Sequence, residues 1–225
     1  MELRTIEGFE AHLTEELKWR LSELDTWERM VKACRPHEQV GALRAGVTLL
    51  YAHWEGYVKE AARAYLEFVS RKGLRVGELR AELAAVALRN MLGKGEQSKK
   101  AEDHTAIVEI LRSENQSEAR IPYDRSTIRT RSNLSFDVFE DIMHSLGCDA
   151  GRHEISRTLI DARLLKNRND IAHGREMLIS LDDWLVMRER VVDVLKDVRT
   201  QLANAATMGE FRRQPNIIGL PMQKL

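Results

Sequence analysis

Between Glu38 and Ser70 the chain reads EQVGALRAGVTLLYAHWEGYVKEAARAYLEFVS, without a proline. Its apolar residues recur at helical spacing, and near the centre they occupy more than one face. Such a helix belongs inside a bundle, wrapped by other helices. Two further long patterns flank it. From Ile6 to about Ala33 the apolar positions are Ile6, Phe9, Leu13, Leu17, Leu21, Leu24, Trp27 and Val31, and Pro36 then breaks the chain. Near the other end SLDDWLVMRERVVDVLKDVRTQLANA forms the last long helix; Ser180 with Asp183 three later makes an acidic variant of the capping box.

Shorter elements lie between. GELRAELAAVALRNML predicts a helix ending before Gly93, and GKGEQSKKAEDH a polar loop. A short helix is expected over about Thr105 to Arg112. SENQSEARIPYDRSTIRTRSN has no helical period and reads as a long loop, the kind that often carries function. SFDVFEDIMHSLG is a short amphipathic helix with Ser135 as N-cap and Gly147 as stop. A helix from about Ile155 to His173 follows, stopped by Gly174. No strand-like alternation and no internal repeat occurs. The expected fold is an all-α bundle. Residues 1–206 are expected to form one domain, with its core at about 38–206 and the 6–33 helix packed on it. The 207–225 tail is expected to be loosely ordered or partner-bound.

Charge limits the function. Lys plus Arg and Asp plus Glu number 35 each, so there is no global basic field, and nucleic acid can be met only by a local patch. Cys34 and Cys148 lie far apart and form no CxxC pair, which suggests a reduced protein of the cytosol. MELRTIEGFEAHL has no apolar core of a signal peptide, and no apolar run reaches the roughly 20 residues that span a bilayer. The expectation is a soluble cytoplasmic protein.

The chemistry concentrates in LLKNRNDIAHG, Leu164 to Gly174. On a helix Asn169 and His173 share a face, and a long Arg168 side chain reaches the imidazole's neighbourhood. An arginine fork holds a phosphate and stabilises developing charge; a histidine moves a proton at neutral pH. With RNA, the 2′-hydroxyl supplies the nucleophile and no metal or cofactor is needed. The plainer reading makes His173 a cation at a helix C-terminus, worth about 0.3–1 kcal/mol, and Arg168 a surface ion-pair partner. Glu55, mid-helix beside His53, Trp54 and Tyr57, either orients Arg168 or His173 or forms a structural salt bridge. Asp141-x-x-His144 and Asp170-x-x-His173 have carboxylate–imidazole spacing, but both acids are Asp and no HExxH accompanies them, so no metal site is expected. The loop arginines, Arg129 and Arg131 among them, either guide an RNA strand or sit solvated beside Glu118 and Asp124.

RNDIAHG resembles the Arg-x4-His signature of the HEPN superfamily, in the form with a polar residue after the arginine. LLYAHWEGYVKEAARAYLEFV resembles the helix with the Trp-Glu-Gly feature of the RiboL-PSP-HEPN-like branch. IRTRSNLSFDVFEDIMHSLGCD resembles that branch's Ser-Asn-Leu stretch and the short helix after it, and ISLDDWLVMRERVVDVLKDVRTQL its closing helix. Together these cover most of Val40 to Ala203. The resemblance implies a HEPN-type helical bundle with additional helices. It also implies metal-independent RNA cleavage by a toxin or a defence or stress effector, with an antitoxin or other defence-system protein as partner. Arg168 would hold the scissile phosphate, His173 would be the acid/base, Asn169 fills the usual polar position and Glu55 that of the upstream acid. Active members generally form homodimers in which two motifs face one cleft; Arg163, Lys166 and Arg175 would make that cleft locally basic. Some HEPN toxins carry a tyrosine two residues past the histidine, where an antitoxin modifies them; here Arg175 stands there. Other HEPN domains are non-catalytic modules that dimerise and bind RNA or a protein, the alternative reading.

Overall fold

Three long helices frame the computed structural model, which describes residues 3–112, 118–124, 127–130 and 133–214. Helix α1 (Ile6–Ala33) starts at Thr5, whose hydroxyl accepts the Gly8 N–H at 3.0 Å. Cys34 and Arg35 are extended, and Pro36 takes the first position of α2 (Pro36–Ser70), where its missing N–H costs nothing. The proline therefore both ends one helix and starts the next. The last long helix, Leu181–Thr207, begins at Ser180, whose hydroxyl accepts the Asp183 N–H at 3.0 Å and donates to the Asp183 carboxylate at 2.7 Å.

These three helices pack against one another, with α2 innermost. Leu50, Trp54, Tyr57, Tyr65, Leu66 and Phe68 point from different sides of α2 and are all fully buried. Each such apolar side chain contributes about 1.5–3 kcal/mol of transfer free energy. The Trp54 indole donates to the Leu134 carbonyl at 3.1 Å and the Tyr57 hydroxyl to the Leu13 carbonyl at 3.3 Å, so the polar tips of these rings are satisfied. At Gly46 tryptophans of the first and last long helices crowd against α2. A Cβ there would lie 2.6 Å from Trp27 Nε1 and 2.8 Å from Trp184 Nε1.

A second layer differs from the sequence reading in three places. Helix α3 (Ala81–Gln97) runs through Gly93 instead of stopping before it, and α4 (Ala101–Arg112) starts earlier than Thr105. The expected polar loop shrinks to three residues, 98–100. The reason is a tight helical hairpin. A Cβ at Gly95 would fall 2.2 Å from Ile107 Cδ1, and the His104 ring reaches the Gly95 and Ser98 carbonyls at 3.0 Å each. Helix α5 (Phe136–Ser145) conforms, with Ser135 capping Val138 N–H and Gly147 at φ 75°.

The expected continuous helix from Ile155 to His173 is instead three pieces. A 3-10 turn spans Gly151–Ser156, widened π turns span Leu159–Leu165, and α6 (Lys166–Ala172) completes the run; the closing long helix Leu181–Thr207 is α7. The π stretch is held from both sides. Ile160 and Leu164 are fully buried, while the Asp161 carboxylate accepts the Phe136 N–H at 2.8 Å. Widened turns of this kind recur at functional sites.

The start of the tail is not loose. Phe211 is buried and meets the Phe68 ring edge-on at 5.9 Å. The Phe211 carbonyl accepts the Arg80 N–H at 3.0 Å, and Arg213 N–H donates to the Glu78 carbonyl at 2.8 Å. The tail beyond Gln214 lies outside the described residues. Among the described residues there is no strand, only the isolated bridges Arg75–Glu118 and Leu79–Arg212, and no helix is long and apolar enough to cross a membrane.

Candidate active site

The end of α6 is a Schellman turn. Gly174 sits at φ 69°, its N–H bonded to the Ile171 carbonyl at 3.0 Å, while Arg175 N–H reaches the Asp170 carbonyl at 2.9 Å. Only glycine takes that conformation without strain. His173 is thereby the cap residue, its own N–H bonded to the Asn169 carbonyl at 3.0 Å and its side chain exposed. Among the described residues nothing hydrogen-bonds the His173 ring. Arg44 of α2 donates to the Arg175 carbonyl at 2.9 Å, which ties this turn to the central helix.

Arg168 lies on α6, half-buried against α2. Its guanidinium stands 4.5 Å from the centre of the Tyr51 ring. Nη1 donates to Asn169 Oδ1 at 2.8 Å and to Asn133 Oδ1 at 3.0 Å. Two amide oxygens and an aromatic face fix the plane of the fork. Among the described residues no carboxylate pairs with it, and none of them bonds Nε or Nη2.

Tyr51 is itself pinned. Its hydroxyl accepts the buried Leu134 N–H at 2.7 Å. Burial, aided by the negative charge of the Glu55 carboxylate, pushes the phenol up to about 12 against the pull of the Leu134 N–H, so it stays neutral. Glu55 acts on Tyr51 by its charge, one helical turn away, and does not itself pair with Arg168. Its carboxylate accepts the Thr130 hydroxyl at 2.5 Å and stands 3.7 Å from Lys59.

The remaining sequence candidates are spread out. Arg175 is paired with Asp170 at 2.9 Å and Arg163 with Asp183 at 3.4 Å. Lys166 is exposed at the start of α6, beside the site, and Arg129 is exposed on the loop that follows Ile128. Arg131 lies outside the described residues. His153 is held by Asp197 at 2.7 Å, far along α7 from the candidate pair. Two site residues escaped the sequence reading. Tyr51 is one helical turn before Glu55 on the same face, so its spacing was a usable signal. Asn133 sits in the Ser-Asn-Leu stretch, but nothing local says that it turns toward Arg168.

An all-α bundle that presents an arginine and, five residues on, a histidine at a helix end is the class that HEPN domains make up. A family model, HEPN_MAE_28990-like HEPN, matches residues 9–211, and the chain belongs to that family. No curated protein and no solved structure matches it. The RiboL-PSP-HEPN-like branch rests on the quoted stretches alone.

Proposed function

We propose that the chain is a metal-independent endoribonuclease of HEPN type. One observation carries this reading: among the described residues, Arg168 is oriented by neutral partners only. Asn133, Asn169 and Tyr51 fix its position without cancelling its charge, which leaves the fork able to bind a phosphate. The exposed imidazole of His173 stands at the end of the same short helix.

In this mechanism His173 takes the proton of the 2′-hydroxyl, and O2′ attacks the adjacent phosphorus. Arg168 stabilises the extra negative charge of the five-coordinate phosphate. The P–O5′ bond breaks and O5′ takes a proton, leaving a 2′,3′-cyclic phosphate and a 5′-hydroxyl. One chain offers one imidazole here, whereas the step uses both a base and an acid. A homodimer about a two-fold axis supplies the second. Leu178, 77 % exposed five residues past His173, and Val186, 51 % exposed on α7, give this flank an apolar surface for such a contact. A toxin or defence setting, with an antitoxin-like partner, follows from the family resemblance.

The test is incubation of purified protein with RNA, with and without EDTA, beside His173→Ala. Cleavage that survives the chelator, leaves cyclic phosphate ends, spares DNA and disappears in the variant is the expected result. RNA binding without cleavage by the unaltered protein would select the non-catalytic module instead.

A further inference from the structure

A cleft of about 1140 Å³ runs along α2 beyond Glu55 and is not used by the mechanism above. Its walls are α1, through Glu16 and Arg20, and the segment bearing Tyr123. Two features on its floor are poor choices for stability alone. Arg20 is buried to 8 % side-chain exposure, yet its Nε has no partner, and no described residue bonds Nη2. Its Nη1 is held by the Glu16 carboxylate at 2.6 Å, and the guanidinium lies 4.2 Å from the Trp19 ring. Beside it, Gly56 interrupts the interior of a long helix, where glycine is less stable than alanine.

Packing explains Gly46 but not Gly56. A Cβ at position 56 would meet only Arg20 Nη2 at 3.6 Å and Nε at 3.9 Å, which is ordinary contact. Alanine would fit, and it would cover the edge of the Arg20 fork. The glycine leaves the space beside Nη2 free, while Nε itself is covered and unpartnered. Beside the donor edge stands an acceptor, because Glu16 spends one carboxylate oxygen on Arg20 and leaves the other without a described partner.

We propose that this cleft is a nucleobase subsite, and that its preferred occupant is guanine. A phosphate suits it poorly, since Arg20, Lys59 and Arg63 are paired along its walls with Glu16, Glu55 and Glu60, and Asp124 lines it too. A base that offers both acceptors and donors suits mixed walls. Guanine presents the acceptors O6 and N7 to an arginine edge and the donors N1–H and N2–H to a carboxylate. The exposed Tyr123 ring at the rim is placed to stack on it. Gly56 is five residues from Tyr51, roughly 7.5 Å along the helix axis. A single strand whose phosphate is held at Arg168 thus reaches the cleft with a neighbouring nucleotide. The position relative to the cut rests on the nuclease reading; base binding in the cleft does not.

Two measurements test it. Binding of 5′-GMP, AMP, CMP and UMP is followed by calorimetry or NMR for the unaltered protein, Gly56→Leu and Arg20→Met. Cleavage sites on a random-sequence RNA are mapped for the same three proteins. GMP should bind at least about tenfold tighter than the others, and both variants should lose that preference. Leucine is a good helix former, so Gly56→Leu should melt no lower than the parent, which separates a blocked cleft from misfolding. Guanine should be enriched beside the cut only in the parent. Equal binding of all four nucleotides, or none, overturns the proposal, as does RNA cleavage with no base preference. GMP binding without RNA cleavage would keep the subsite and remove the nuclease reading.

Discussion

Tyr51→Phe is the most informative single substitution. The ring beneath Arg168 at 4.5 Å is kept, while the hydroxyl that accepts the Leu134 N–H is removed. Tyr51 is 2 % exposed, so no bulk water replaces the lost acceptor. A buried N–H left unsatisfied costs about 1–3 kcal/mol. Taking about 2 kcal/mol, and roughly 2–4 °C per kcal/mol for a chain of this size, the melting temperature should fall by about 4–8 °C. Tyr51→Leu removes the ring as well. The cation–π contact is worth about 0.5–2 kcal/mol. If that energy holds the fork in place in the transition state, turnover should drop by about 2- to 30-fold beyond the Phe variant. Single-turnover cleavage of an end-labelled RNA, well below each melting point, reads the rate, and calorimetry reads the stability. Phe and Leu variants with the same rate would show that the ring does not position Arg168. A Phe variant that melts with the parent would contradict the Leu134 hydrogen bond.

Two other outcomes follow from local geometry. Gly174→Ala forces a side chain into the left-handed region at φ 69°, a cost of about 1–2 kcal/mol; the melting temperature should fall by a few degrees and cleavage by much more, and an unchanged rate would uncouple the Schellman turn from His173. At Glu60 burial raises the carboxyl pKa, but hydrogen bonds from His12 and Arg63 outweigh it and bring it from 4.5 down to about 2. Its folded pKa lies below its unfolded one, so its stabilisation is present above about pH 4.5 and is lost as pH falls towards about 2. The melting-temperature gap between the parent and Glu60→Gln should close over that window; a gap independent of pH would refute the assignment.

The long helices were legible because their apolar period is long and their start signals are local. Pro36, Ser135 and Ser180 act within three residues of themselves, and Gly147 and Gly174 stop helices through their own backbone angles. The errors came where a distant contact decides. Gly93 and Gly95 read as loop residues, yet the Ile107 side chain needs the space at Gly95, and that contact is set by how α3 and α4 pack. The π turns at Leu159–Leu165 leave no mark in the residue types, because a widened helix uses the same residues as a regular one. Phe211 looked like part of a tail until Phe68 was placed beside it. The candidate pair was legible because five residues of one helix contain it. Tyr51 and Asn133 come from two other segments, and only the fold brings them to Arg168.

The charge balance of the chain gives the site its meaning. Lys plus Arg equals Asp plus Glu, and the pairing is largely spent inside the molecule. Arg63 holds Glu60 and Glu67, Arg157 holds Asp137, Glu140 and Glu154, and Arg188 holds Asp25 and Glu28. Even Arg163 and Arg175, near the candidate pair, have carboxylates beside them. Arg168 has amides in their place, which direct the fork but do not compete with a phosphate for its charge. Asn133→Asp changes that one property. The side chain keeps its shape and an oxygen toward Nη1, and the new ion pair should leave the melting temperature unchanged or raised. RNA affinity should nevertheless fall by about 10- to 100-fold, the loss of one charge-assisted contact of about 1.5–3 kcal/mol. Fluorescence anisotropy with a labelled RNA in the His173→Ala background, where the strand stays intact, measures it. An Asn133→Asp protein that binds RNA as tightly as its Asn133 counterpart would mean that the phosphate is held elsewhere, and that the neutral cradle around Arg168 serves packing alone.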